Sequence, residues 1–137
     1  MQTCIFRAVN PISVLLVDDS PRFLQAATRF LQEHCADDIL VVGAAEGGEE
    51  GLNQARRLQP RVVLLDLCMP GMSGLDAIPL LREALLKTCI IALTLFDTDT
   101  YRQAAMKAGA DGFVPKAALT SDLLPAIRRV VAADLIR

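Results

Sequence analysis

At 137 residues the chain has the usual size of one domain and enough length to bury a real core. Apolar residues make up 53% and charged residues 22%, and 14 Lys and Arg stand against 16 Asp and Glu, so no basic excess points to nucleic acid. No apolar stretch reaches the roughly 18 residues of a membrane span, and the opening MQTCIFRAVNPIS lacks a signal-peptide core, so a soluble cytoplasmic protein is expected.

The first element is the apolar run ISVLLV (12–17), which reads as a strand and ends in Asp18 and Asp19. Ser20 as N-cap and Pro21 at the first helical position then open a helix with Phe23, Ala27, Phe30 and Leu31 on one face. His34, the sole histidine, falls near its end and removes any multi-histidine metal site. A second strand, ILVVGA (39–44), precedes a helix marked by Leu52, Ala55 and Leu58. The third strand, RVVLLD (61–66), runs into Asp66 and the loop CMPGMSG. There Pro70 and Gly71 suit a tight turn, Gly74 permits close backbone approach, and Ser73 caps a helix carrying Leu75, Ile78, Leu81, Leu85 and Leu86. The fourth strand, CIIALT (89–94), ends in Thr94 and leads to a helix marked by Tyr101, Ala105 and Ala108 that stops at Gly109. A fifth, DGFVP (111–115), is followed by Lys116 and by a helix with Leu123, Leu124, Ile127, Val130 and Val131. Cys4, Cys35, Cys68 and Cys89 form no CxxC pair and no zinc-ligand spacing, and read as reduced thiols.

Strands alternating with helices of this length imply parallel pairing, and continuous apolar strands imply a sheet covered on both faces. The expected fold is α/β, a doubly wound (βα)5 flavodoxin-like three-layer sandwich with parallel sheet order 2-1-3-4-5. Ligands of such sheets bind outside the carboxyl ends of the strands. That rim carries Asp18, Asp19, Asp66, Thr94 and Lys116. Singly each has an ordinary explanation: acidic residues at a helix start, a strand threonine, a solvated loop lysine. Together they do not, because strands one and three become neighbours and three carboxylates converge. Two carboxylates about 4 Å apart repel by roughly 1 to 4 kcal/mol, depending on the effective dielectric. A hard divalent cation relieves this, and Mg2+ takes a few carboxylates while leaving room for phosphate oxygens. A carboxylate can also attack phosphorus to give an acyl phosphate. Asp66 is then the acceptor, with Lys116 and Thr94 neutralising the phosphoryl oxygens.

The stretches VLLVDDS, LLDLCMPGMSGLD, ALT and AGADGFVPK, in that order, make the chain similar to the receiver domain of two-component response regulators. The wording around Thr94 and Lys116 most resembles the LuxR/NarL-type subgroup, whose receivers precede a helix-turn-helix output domain. The resemblance implies a receiver domain over 12–133, a short N-terminal extension over 1–11, and a C-terminal end at 134–137 with no output domain. It implies a phosphoacceptor Asp66 fed by a sensor histidine kinase. Mg2+ would be held by Asp18, Asp19, Asp66 and the Cys68 backbone carbonyl, with Thr94 and Lys116 on the phosphoryl group. Phe113 occupies the place of the family's aromatic switch, which acts on the face made by the fourth helix, fifth strand and fifth helix. The chain is thus expected to be a signalling switch and not a conventional enzyme. A homodimer on phosphorylation and transcriptional output from a longer regulator are further expectations, with no direct nucleic-acid or membrane binding by these residues.

Four positions depart from the family's common pattern. Cys68 and Phe96 flank the path of a hydrolytic water with nonpolar or weakly polar groups, which predicts a long-lived acyl phosphate. Leu95 stands where many relatives have a small residue and is expected to narrow access for small donors. Pro115 precedes Lys116 where many receivers have a proline after the lysine. An alternative reading is a receiver-like interaction module that uses no phosphate. A haloacid-dehalogenase-type phosphatase fits less well, since its second Asp would stand at Cys68.

Overall fold

The computed structural model describes residues 11–96 and 98–136. The expected N-terminal extension apart from Pro11, the thiol of Cys4, and the terminal Arg137 lie outside the described residues.

Five apolar runs, the first four rich in branched aliphatic residues, form the strands β1 (Ile12–Val17), β2 (Ile39–Ala45), β3 (Val62–Asp66), β4 (Cys89–Thr94) and β5 (Gly112–Pro115). They make one parallel sheet in the order β2-β1-β3-β4-β5. Every residue of β3 and β4 is buried, as expected for central strands covered on both faces. Helices α1 (Pro21–His34), α2 (Gly48–Leu58), α3 (Gly74–Ala84), α4 (Asp99–Ala108) and α5 (Leu119–Leu135) supply the covering layers.

Side chains alternate across the sheet, so two separate cores form. Val14, Leu16, Leu64, Ile91 and Leu93 pack with α1 and α5, while Leu15, Val17, Val63, Leu65 and Ile90 pack with α2 to α4. On α1 the fully covered residues are Leu24, Ala27 and Leu31, and Phe23 and Phe30 are only partly buried. The helical stripe is therefore rotated from the expected one by about one position, which leaves the Phe23 ring at the rim. The expected run through Leu86 also stops early: α3 ends at Ala84, Leu85 leaves helical geometry, and Leu86 is 79% exposed as the chain turns toward β4. Pro79 and Pro125 sit inside α3 and α5, each removing one backbone donor without ending its helix.

Helix starts follow the local chemistry. The hydroxyls of Ser20, Ser73 and Thr98 accept from the N–H groups of Phe23, Asp76 and Tyr101, which satisfies donors that the first turn leaves open. Each of these caps lies just beyond the carboxyl end of a strand, so the same residues that start a helix fix the rim.

Candidate functional site

β3 delivers Asp66 to the rim as a buried carboxylate. Two glycines shape the loop after it. Gly71 adopts φ +74°, a conformation that disfavours a side chain. At Gly74 an added Cβ would collide with the Asp66 carbonyl oxygen and lie 2.7 Å from the Leu67 Cα. The Gly74 N–H donates to the Leu67 carbonyl at 3.1 Å, so α3 starts pressed against the backbone that carries Asp66.

Asp18 is buried beside it, while Asp19 is exposed. One oxygen of each of Asp18, Asp19 and Asp66 lies within 4.8 Å of the others. The Lys116 ammonium sits 2.6 Å from Asp18 Oδ2 and 3.5 Å from Asp66 Oδ2, and 4.4 Å from the centre of the Phe23 ring. Lys116 thus faces two carboxylates with an aromatic face against its charge. It opens a short 3-10 turn, Lys116–Ala118, with Pro115 extended before it, and all described peptide bonds are trans.

One ammonium does not balance three carboxylates. Burial, and next the Asp18 charge, push the Asp66 carboxyl up to about 6. Asp19 adds to the rise, while the Cys68 N–H, which donates to Asp66 Oδ1 at 3.2 Å, and Lys116 act against it. Asp18 Oδ1 accepts from the Ser20 N–H at 2.8 Å. Its Oδ2 is buried, with the Lys116 ammonium as its close ion-pair partner. An all-oxygen donor set with excess negative charge fits Mg2+.

Thr94 is fully buried at the end of β4, the strand beside β3, and its Oγ1 accepts from the Phe96 N–H at 3.0 Å. Phe113 does not join the cluster. It is half-buried on β5, with the Arg102 guanidinium 4.5 Å from its ring centre. A groove between α4 and α5 runs past Arg102, Phe113, Pro115 and Arg129, and Leu95 lines this groove, 74% exposed. Phe96 and Tyr101 stack with ring centres 5.8 Å apart, and Tyr101 lies beside Cys68.

Sequence reading missed Phe23 and Tyr101. Both lie at helical spacing with core residues, and their polar neighbours, Lys116 and Cys68, are distant in sequence. The only local signal for Phe23 is its place in DDSPRF, one turn past the acidic pair.

Residues 14–128 match the family described as "Response regulator receiver domain". The chain is 36% identical over 127 residues to the nitrate/nitrite response regulator protein NarL of Escherichia coli K12, covering 93% of this chain and 58% of that protein. It is 40% identical over 123 residues to the response regulator GacA of Pseudomonas protegens, covering 90% and 57% respectively. The chain thus spans somewhat over half the length of these curated relatives. Among solved structures, a two-component response regulator of the LuxR family from Aurantimonas sp. SI85-9A1 superposes with a TM-score of 0.84 at 27% identity, covering 90% of this chain and 87% of that one.

Proposed function

Because the chain belongs to the receiver-domain family of two-component response regulators, we propose that it accepts a phosphoryl group on Asp66 from a phosphohistidine of a sensor histidine kinase. The observation that carries this is the buried Asp66 carboxylate with Lys116 3.5 Å away and Asp18 and Asp19 within 4.8 Å. A carboxylate oxygen of Asp66 attacks phosphorus, the phosphorus–nitrogen bond breaks, and the imidazole nitrogen keeps that electron pair and takes a proton.

Asp18, Asp19, Asp66 and the Cys68 carbonyl would hold Mg2+. When bound, the ion neutralises the carboxylates and offers a coordination position to a phosphoryl oxygen. Lys116 pairs with a second phosphoryl oxygen once the new negative charge competes with Asp18 for its ammonium. Thr94 supplies its hydroxyl, giving up the Phe96 N–H or sharing it. Phe113 follows Thr94 inward, and the α4–β5–α5 face changes. That face controls an output such as transcription in a longer cytoplasmic regulator, with homodimerisation on phosphorylation. The functional unit is residues 12–133. Cys68 and Phe96 offer little to polarise an incoming water, which favours a long-lived acyl phosphate.

The test is intact mass after incubation with Mg2+ and acetyl phosphate or a phosphorylated kinase, compared with Asp66→Asn. One added phosphate on the parent, none on the variant and none with chelator is the expected result. No added phosphate from any donor, together with no beryllofluoride binding, would replace this reading by a phosphate-independent interaction module. Polar replacements at both Cys68 and Phe96 should speed loss of the phosphate, and an unchanged rate would refute their role.

A further inference from the structure

The first turn of α1 forms a closed circuit with the acceptor site. Asp18 Oδ1 accepts from the Ser20 N–H at 2.8 Å, the Ser20 hydroxyl accepts from the Phe23 N–H at 3.3 Å, and the centre of the Phe23 ring lies 4.4 Å from the Lys116 ammonium. That ammonium returns to Asp18 Oδ2 at 2.6 Å and stands 3.5 Å from Asp66 Oδ2. The Lys116 side chain is only 10% exposed, so its charge is largely withdrawn from water and is met by two carboxylates and one ring face. Leu24, Ala27 and Leu31 carry the buried face of α1, and the partly buried Phe23 ring is left to serve the rim.

We infer that Phe23 is a positioning residue for phosphoryl transfer, its ring face holding the Lys116 ammonium between Asp18 and Asp66 so that the cation is in place when the phosphoryl group arrives. This rests on Asp66 being the acceptor and adds to that reading an uncharged residue of α1. A lysine is a point charge on a flexible four-carbon stem, and without restraint it spreads over many rotamers and rehydrates. Asp18 restrains it only as far as its own charge is not shared with Mg2+. The ring is no ligand for a hard cation, so its hold on the ammonium persists when that ion is bound. The attraction extends to about 6 Å from a ring centre, so from 4.4 Å the ammonium can move toward a phosphoryl oxygen on Asp66 without leaving Phe23.

Phe23→Leu keeps the apolar bulk and removes the ring face, and Phe23→Tyr keeps the face. The first readout needs neither phosphate nor metal. The lysines of the chain are Lys87, Lys107 and Lys116, so with isotope-labelled lysine the Lys116 ε-CH2 signals can be assigned in an NMR spectrum by their loss in Lys116→Met. The ring should displace them upfield in the parent and in Phe23→Tyr, and the displacement should vanish in Phe23→Leu. The second readout is the rate of phosphate gain from acetyl phosphate at saturating Mg2+. With circular dichroism unchanged, Phe23→Leu should slow it about three- to tenfold, the weight of one partly desolvated cation–π contact, and Phe23→Tyr by less than about twofold. In a Lys116→Met background the same Phe23→Leu change should leave the residual rate unaltered, because the ring has no ammonium to hold. Equal slowing with and without the lysine would mean that the ring merely supports α1, and would overturn the inference, as would parent-like shifts and rates in Phe23→Leu. Failure of the parent itself to gain phosphate would instead overturn the acceptor reading and the transfer role with it. The shift comparison would still decide whether the ring holds the lysine.

Discussion

Charged groups gather at both ends of the sheet, and the two ends treat them differently. At the amino ends of β4 and β5, Arg82 donates to the carbonyls of Thr88 at 2.7 Å and Gly109 at 2.9 Å, and pairs with Asp111 Oδ2 at 2.6 Å. The same Asp111 oxygen accepts the Ile90 N–H at 2.8 Å. At the carboxyl ends, oxygens of Asp18, Asp19 and Asp66 lie within 4.8 Å of one another, and Lys116 pairs with Asp18 and Asp66. The first cluster is satisfied within the chain and serves the fold. The second is left electrostatically incomplete, and the stability it forgoes is what a cation and a phosphoryl group can restore.

The contrast breaks most visibly at Arg82. Arg82→Ala takes a donor from the Thr88 and Gly109 carbonyls and leaves Asp111 without this cation at a junction with side chains only about a quarter exposed, and should lower stability by about 2 to 3 kcal/mol in urea unfolding. A loss under about 0.5 kcal/mol would mean that this end is no better satisfied than the rim.

The rim should respond with the opposite sign. Asp66 titrates near 6 in the folded chain against 3.8 for the ordinary carboxyl. Between those values the folded state keeps a proton that the unfolded state has lost, so stability falls as pH rises through this window and stays low above it. Metal-free Asp66→Asn should therefore be more stable than the parent by on the order of 2 kcal/mol at pH 7.5, the gap closing toward pH 4. A gap independent of pH would sink the assignment of that strain to Asp66.

A smaller effect sharpens the comparison. Free Mg2+ at ten times its dissociation constant should stabilise the parent by about 1.4 kcal/mol in thermal unfolding, and Asp18→Asn far less. Equal shifts in both would place the ion elsewhere. The smallest change is expected at Arg128→Ala, which removes a 2.8 Å pair to Asp38 between two well-exposed side chains and should shift stability by about 0.5 kcal/mol or less.

What the sequence made legible was what is local or periodic. VVLLD is a run whose every residue is buried, and Ser20-Pro21, Ser73 and Gly109 mark helix ends by their own chemistry. The convergence of Asp18 and Asp66 was legible too, because crossover rules make β1 and β3 neighbours. Long-range pairings were not. Arg82 and Asp111 are 29 residues apart, and the approach of Phe23 to Lys116 or of Tyr101 to Cys68 depends on how helices rotate on the sheet. Leu86 shows the limit of periodicity: its spacing continues the α3 stripe, but the backbone has already turned.

Pro115 stands opposite Thr94 in the last rung between β4 and β5. Proline has no N–H, and β5 is an edge strand of the sheet, so at residue 115 it offers no donor with which a further strand could pair. The rim end of this edge is thereby blunted against edge-to-edge association between molecules, and Pro115→Ala would restore the missing donor.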